Sequence, residues 1–401
     1  MTVKIKPAER TSDIKYAVRD ILAIANQAKA AGKEMLYLNI GDPNVYDFET
    51  PNQMIEATYK AMKENYCGYS PSSGTKEAVD AIEREAERKG IKNIRDIFVT
   101  TGASEAIDIA LTALVNQGDN ILTPTPGYPL YTAIRSKLQM VENPYYLDEE
   151  NGWQPDIEDI KSKINDRTKA IIIINPNNPT GSNCDKETLL KLIDIALEHN
   201  LVIFADEIYD KLMFDGEKHI SLASLNSEAP IITFGGLSKN YMAPGWRIGW
   251  GIVSGNKELL SDYVEAMNKI LRSRLCANHP EQFAIPAALD SNDEHLIEGM
   301  AKLTRRRDIT VEMLNAVDGI SCVAPKGAFY AFPKLELNNS DTHFITELIK
   351  ETGVVVVPGS GFGQKPETKH FRAVFLPQED VLEKAYKKIA DFYLKYKNEY
   401  E

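Results

Sequence analysis

The chain is poor in cysteine: Cys67, Cys184, Cys276 and Cys322 are widely scattered and form no C-x-x-C pair. That pattern speaks for a reducing compartment and against a zinc site. The six histidines show no metal-ligand spacing either, so no metal is expected. Long apolar runs are missing as well, since none approaches the roughly 18 residues of a membrane span. The opening stretch MTVKIKPAERTSDIKYAVRD lacks a signal-peptide apolar region, and cytoplasmic residence is the expectation. Positive charge is not in excess. The formal net charge of −12 argues against nucleic acid or an anionic membrane as the main partner, while leaving room for local positive sites that take phosphate or carboxylate. No G-x-G-x-x-G follows the early strands, so the signature of a dinucleotide-dependent dehydrogenase is absent. There is no internal repeat and no low-complexity tract; the most linker-like stretch is SLNSEAP, just before Ile231.

What is present is apolar residue enough, 43% of 401, to bury two cores in a chain too long for one simple core. Strand-like and helix-like segments alternate between about 46 and 253, predicting an α/β sheet covered by helices. A polar helical stretch at about 293–307, ending in Arg305, Arg306 and Arg307, leads toward a second domain. There KGAFYAFP, VVVVPGSGFG and HFRAVFLP read as strands of a smaller α+β unit.

Four segments of the α/β region put reactive groups at strand ends. The run Ile231, Ile232, Thr233, Phe234 leads into GGLSK, where Lys239 stands eight positions before Arg247. A free lysine, with a pKa of about 10.4, is nearly all protonated at neutral pH and a poor nucleophile. Desolvation and a neighbouring cation such as Arg247 would lower that value and let Lys239 form an imine with an aldehyde cofactor. Gly235 and Gly236 would let a bulky ligand approach the backbone. Taken alone, this segment is equally compatible with a solvated lysine. The run 170–174 reads as a fully buried strand that empties into NPNNPTG and exposes Asn178. The run 201–205 ends at Asp206, with the phenol of Tyr209 three residues on. Residues 96–100 read as a strand that continues through TTGASEAIDIALTAL into a helix with Ile107, Ala110, Leu111 and Leu114 on its apolar face. The turn opening that helix offers unpaired N–H groups at Ala103 and Ser104 and the positive dipole end, which suits a phosphate. Ser104 could equally be a simple helix cap. Glu105 would repel a phosphate, so its side chain should turn away and serve the helix dipole.

Ligands of an open, mostly parallel sheet collect outside the carboxyl ends of its strands, where all these groups fall. An imine-forming lysine, a carboxylate, a polar group and a phosphate cradle together describe pyridoxal 5′-phosphate (PLP).

At NPxNPTG, the D-x-x-Y of ADEIYD, and GxLSK followed by arginine at the eighth position, the chain resembles the class I/II aminotransferases of PLP fold type I. The resemblance runs from about residue 16 to 372. Within that family INPNNPTG, FADEIYDK, GLSK and RLCANHPEQFAI look most like the alanine aminotransferase branch. The resemblance implies a large domain with a mostly parallel central sheet covered by helices, at 46–290, and a small α+β domain at 291–401. Residues 1–45 would pack with the small domain. It implies a ping-pong exchange of an amino group between alanine or glutamate and pyruvate or 2-oxoglutarate. Lys239 would hold PLP and then shuttle a proton, and Asp206 would keep the pyridinium nitrogen protonated. Asn178 and Tyr209 would hydrogen-bond the ring oxygen O3′, and Tyr128 would lie against the ring face. Arg247, Ala103, Ser104 and Ser238 would bind the phosphate, joined by Tyr69 from the partner of a homodimer. Arg372 would grip the substrate α-carboxylate in a bidentate fork, with Gly41 and Asn178 beside it. Tyr16 and Arg19, at helical i, i+3 spacing, resemble the Y-x-x-R that meets a distal carboxylate.

Other readings of the same residues stay open. Tyr128 and Tyr209 could be core aromatics, and Arg372 and Arg19 solvated arginines. An aspartate or aromatic amino-acid aminotransferase, or a C–S lyase, would share fold and motifs. A PLP-fold transcriptional regulator would need a DNA-binding extension, and only about fifteen residues precede the first matching segment. Two positions depart from the family pattern: Gly236 stands where many relatives carry a phosphate-binding serine, and Met242 where small or basic residues are usual.

Overall fold

The computed structural model describes residues 4–12, 14 and 17–400, with backbone alone at 17–20. Its strands, in chain order, are β1 (Leu36–Tyr37), β2 (Ile94–Thr100), β3 (Asn120–Thr125), β4 (Pro144–Asp148), β5 (Gln154–Pro155), β6 (Thr168–Ile174), β7 (Val202–Asp206), β8 (Ile231–Gly236) and β9 (Gly249–Ser254). There follow β10 (Ile320–Ser321), β11 (Tyr330–Ala331), β12 (Lys334–Leu335), β13 (Val354–Val355), β14 (Val357–Pro358) and β15 (Phe371–Val374).

Strands β2 to β9 form one sheet in the order β2-β9-β8-β7-β6-β3-β4-β5. Neighbours from β8 to β4 are parallel, while β9 runs antiparallel to both β8 and β2. The period-two geometry of a strand explains why the runs here are continuously apolar. In β6, Ala170, Ile172 and Ile174 pack with Phe98, Phe204 and Phe234 on one face, under the helices Ala103–Leu114, Pro129–Lys137 and Lys257–Arg274. Ile171 and Ile173 point the other way, into a cluster with Ile203, Trp250 and the helices Lys76–Arg88 and Lys186–Glu198. Each such isoleucine contributes roughly 1.5–3 kcal/mol on burial, and from Ala170 to Ile174 both faces of β6 are apolar and buried.

The C-terminal strands make small sheets, β11-β15-β14 and β10-β12, over a third cluster. β1 pairs in parallel with β13, and Ile21, Ala25 and Ala28 pack in the same cluster as Phe344 and Phe392. The helix Glu294–Asn315 begins beside the turn after β7, where Asp293 pairs with Lys211 (2.6 Å), and runs into the C-terminal unit.

Two sequence expectations change here. The arginines of that helix do not all make a polar face. Arg306 and Arg307 are 1% and 6% exposed, and each guanidinium fork closes on a carboxylate, Asp47 (2.8 and 2.8 Å) and Asp215 (2.8 and 2.7 Å) respectively. A buried charge is tolerated when it is paired in this bidentate way. The stretch SLNSEAP is no inter-domain linker but a tight turn feeding β8, where Asn226 Oδ1 accepts from the N–H groups of Glu228 (2.8 Å) and Ala229 (3.0 Å). Among the described residues no helix is long and apolar enough to cross a membrane.

Candidate active site

Register places the site. Asp206, the last residue of β7, is paired with Ile174 of β6 on one side and Phe234 of β8 on the other. The loops leaving those two neighbours carry Asn178 and Lys239, so three chemically different groups arrive at one sheet edge from consecutive strands. Thr100, which ends β2, lies opposite Gly249 at the start of β9, and this brings the helix start at Ala103 beside Arg247. The resulting cavity, of about 380 Å³, is lined by Gly41, Ala103, Ser104, Tyr128, Asn178, Asp206, Tyr209, Ser238, Lys239, Arg247 and Arg372, all named from sequence.

Asp206 is 4% exposed, and Tyr131 donates to its Oδ2 from 3.1 Å. Its Oδ1 has no hydrogen-bond partner among the described residues. Burial pushes this carboxyl up to about 6, against the lowering pull of the Tyr131 and Ile208 hydrogen bonds. Lys239 shows the opposite shift. Burial brings its amine down to about 8, opposed by the Asp42 carboxylate and assisted by the Arg372 and Arg247 guanidiniums. The neutral amine is therefore a minority form near neutrality, roughly a tenth at pH 7, but far more abundant than in a free lysine, and its Nζ donates to the Gly41 carbonyl (2.7 Å). Desolvation and Arg247 were both expected; the contribution of Arg372 was not.

The helix Ala103–Leu114 is preceded by Gly102 at φ 80°, a left-handed conformation that suits glycine. A side chain there would collide with the Arg247 guanidinium, so the glycine also makes room for that cation. Arg247 reaches Ser104 Oγ from Nη2 (3.2 Å) and the Pro244 carbonyl from Nη1 (2.9 Å). Glu105 behaves as expected: its Oε2 accepts from the Thr101 N–H (2.7 Å), and its Oε1 lies 3.6 Å from Arg274. At Gly236 a Cβ would sit 2.9 Å from the Ile248 carbonyl oxygen, which explains why no serine stands there. Met242 adopts φ 49°, and its carbonyl accepts from Asn44 Nδ2 (2.9 Å) and Thr50 Oγ1 (2.6 Å), so this residue fixes a turn through its backbone.

Arg372, on β15, is 3% exposed and enters the cavity from the C-terminal unit. It donates to Asn178 Oδ1 (3.2 Å) and to the Asn39 carbonyl (2.6 Å). Its guanidinium lies over the rings of Tyr330 (4.8 Å) and Phe362 (4.6 Å), a cation–π arrangement that orients the planar fork.

Not every expected residue is gathered here. Tyr69 is 83% exposed and stands outside the cavity of its own chain. Tyr16 lies outside the described residues, as does the side chain of Arg19. Conversely, Tyr131, Tyr330, Ile40 and Leu22 belong to the site or its support and were not singled out from sequence. Tyr131 had one legible signal, its i, i+3 spacing from Tyr128 in GYPLY.

The family described as aminotransferase class I and II matches residues 33–389. The chain belongs to that family. It is 38% identical to the glutamate-pyruvate aminotransferase AlaA of Escherichia coli strain K12, over 97% of this chain and 98% of that one. It is likewise 38% identical to an alanine aminotransferase of Mycobacterium tuberculosis strain H37Rv, over 97% of this chain and 92% of the relative. Among solved structures, an alanine aminotransferase from Pyrococcus furiosus superimposes with a TM-score of 0.94 at 41% identity, covering 97% of this chain and all of that one.

This aminotransferase is PLP-dependent, and the cavity fits the cofactor. Asp206 Oδ1 is buried and unpartnered among the described residues, as a partner for a ring nitrogen must be before the ring binds. Lys239 supplies a partly neutral amine, and Arg247 reaches the Ser104 hydroxyl at a helix N-terminus suited to phosphate.

Proposed function

We propose that the chain exchanges an amino group between alanine and 2-oxoglutarate, or glutamate and pyruvate, through a site completed by a second copy of itself. PLP, when bound, supplies an electron sink for the carbanion formed as the substrate Cα loses its proton. Arg372 binds the substrate carboxylate, its fork aimed by Asn178, Asn39 and the two aromatic rings. Lys239 takes the Cα proton and returns it, a task that needs an amine with a pKa near neutrality. Asp206 holds a proton on the ring nitrogen, and Tyr209 and Asn178 donate to the ring oxygen. Ala103, Ser104, Ser238 and Arg247 hold the phosphate, Tyr128 covers the ring, and Ile40 and Leu22 keep water from the reacting carbon. In this reading 46–290 is the cofactor domain, while 291–401 with 1–45 is the domain that brings Arg372.

The observation that carries the substrate assignment is the 38% identity, along nearly its whole length, to a relative named for glutamate and pyruvate. A site that accepts both a methyl group and a distal carboxylate needs a charge that can move aside, and we assign that role to Arg19, together with Tyr16 three positions before it in sequence. Arg19→Ala should then weaken glutamate and 2-oxoglutarate by roughly 30-fold or more, the scale of truncating one member of a buried charge pair. Alanine and pyruvate should be much less affected. Steady-state profiling of amino donors against both acceptors reads this directly, and equal losses on the two pairs would make Arg19 structural. Turnover of a cysteine-like substrate without any acceptor would instead identify a C–S lyase.

Support for the homodimer comes from a stripe of exposed Ile55, Tyr59, Met62 and Tyr66 along and just after the helix Asn52–Lys63, leading to Tyr69. Exposed apolar groups in such a continuous row mark an interaction surface. If Tyr69 serves the neighbouring phosphate, mixing inactive Lys239→Ala with severely impaired Tyr69→Phe should regenerate one intact site per mixed dimer. Mixed dimers without recovered activity would confine Tyr69 to its own subunit. The four free cysteines agree with a cytoplasmic enzyme, which subcellular fractionation would test.

A further inference from the structure

Tyr330, whose ring helps to aim Arg372, also carries a hydroxyl that the proposed chemistry does not yet use. It lies on β11, in the C-terminal unit, and is 2% exposed, yet it lines the cofactor cavity. Its hydroxyl is 2.8 Å from the hydroxyl of Tyr209, which belongs to the turn after β7. The two rings meet edge to face, 5.7 Å apart at 88°, so the contact is held by ring packing as well as by the hydrogen bond. Phe329 holds Tyr209 in the same way, at 5.5 Å and 88°. The other face of the arrangement is Arg372, whose guanidinium lies 4.8 Å over the Tyr330 ring. A methyl at Gly41 would strike the Tyr330 hydroxyl, so the backbone that accepts from Lys239 is packed directly on it. One side chain thus touches Gly41, Tyr209 and the arginine assigned to the substrate carboxylate.

We propose that Tyr330 is a positioning residue that acts on the cofactor through Tyr209, its hydroxyl setting how strongly Tyr209 donates to the ring oxygen while its ring aims Arg372. This rests on the reading of Tyr209 given above. A tyrosine hydroxyl has one proton to donate and lone pairs to accept with. When Tyr209 gives its proton to the cofactor's ring oxygen, its own oxygen is free to accept from Tyr330. The chain Tyr330 to Tyr209 to ring oxygen then has every donor pointing one way, and hydrogen bonds aligned in series polarise and strengthen one another in a dry site. A stronger donation draws negative charge off the ring oxygen. That charge helps hold the neighbouring proton of the bound chromophore, so the chain lowers the pH at which the proton is lost. Burial raises the hydroxyl of Tyr209 well above its ordinary range, so it remains a neutral donor throughout.

The test is a spectrophotometric pH titration of the bound cofactor in the holoenzyme and three variants. Tyr209→Phe should raise the chromophore pKa by about one unit, the loss of one hydrogen bond to a charged acceptor. Tyr330→Phe should raise it in the same direction by a smaller amount, roughly 0.2–0.5 unit, because a neighbour in series is removed and the direct donor is kept. In Tyr209→Phe/Tyr330→Phe the second substitution should add nothing, since the relay is already cut. The KM for substrate should stay within about twofold in Tyr330→Phe, which keeps the ring under Arg372, and rise about tenfold or more in Tyr330→Leu, which does not. An unchanged titration in Tyr330→Phe, or an equal shift in the Tyr209→Phe background, overturns the relay. A wild-type protein that binds no chromophore, or a Tyr209→Phe variant that titrates like it, would fail the underlying reading of the site instead.

Discussion

Lys239→Ala is expected to fall below about 10⁻⁴ of wild-type transamination and to lose the yellow colour of the purified enzyme. Two losses combine: the anchoring amine goes, and so does the proton shuttle, which alone is worth roughly 10²–10⁴-fold. Among the described residues no other lysine lines the cavity, so none of them can take over. The variant should nevertheless fold. In the cofactor-free protein its melting temperature should be no lower than wild type, because the substitution removes an amine that burial disfavours in its charged form. Normal turnover in steady-state assay would remove the central assignment, and a soluble, folded, colourless and inactive protein would agree with it.

Asp206→Asn should bind PLP and yet lose at least about 10²-fold in rate, near 2.7 kcal/mol of transition-state stabilisation. The amide occupies the same volume between the ends of β6 and β8, and its oxygen can still accept from Tyr131. What it cannot do is hold a positive charge on the ring nitrogen. The free carboxyl, pushed up to about 6 by burial, is poised for this. Carboxylate plus pyridinium and carboxylic acid plus pyridine contain the same protons, and the buried unpartnered Oδ1 favours sharing one across the contact. Single-turnover rates on the loaded variant check the expectation, and a near wild-type rate would mean that another acid serves the ring.

The central sheet was legible because its strands are continuous apolar runs that stop at a polar residue, and because parallel strands gather those stops at one edge. Asp206, Asn178 and Lys239 could be placed together on that ground alone. Tyr330 could not: its partners are Tyr209, 121 positions away, and the backbone of Gly41 in another part of the chain, and nothing local in KGAFYAFP marks it. The burial of Arg306 was equally hidden, since it depends on Asp47, 259 residues distant. Sequence pattern reports the period of an element and the residue at its end. It does not report which long side chains from different elements meet.

The lowered amine of Lys239 also bears on how long the protein survives without its cofactor. An amine at about 8 in the folded chain and near 10.5 in the unfolded one costs the fold roughly 3 kcal/mol. The sign is fixed by linkage: below about 8 both states carry the proton and the cost is complete, and it fades only as pH climbs from there past 10.5. At neutral pH the apoprotein therefore bears nearly all of it, a large share of a marginal stability. Capture of PLP by that amine lifts the cost, so cofactor supply governs the enzyme's lifetime against unfolding and proteolysis as well as its activity.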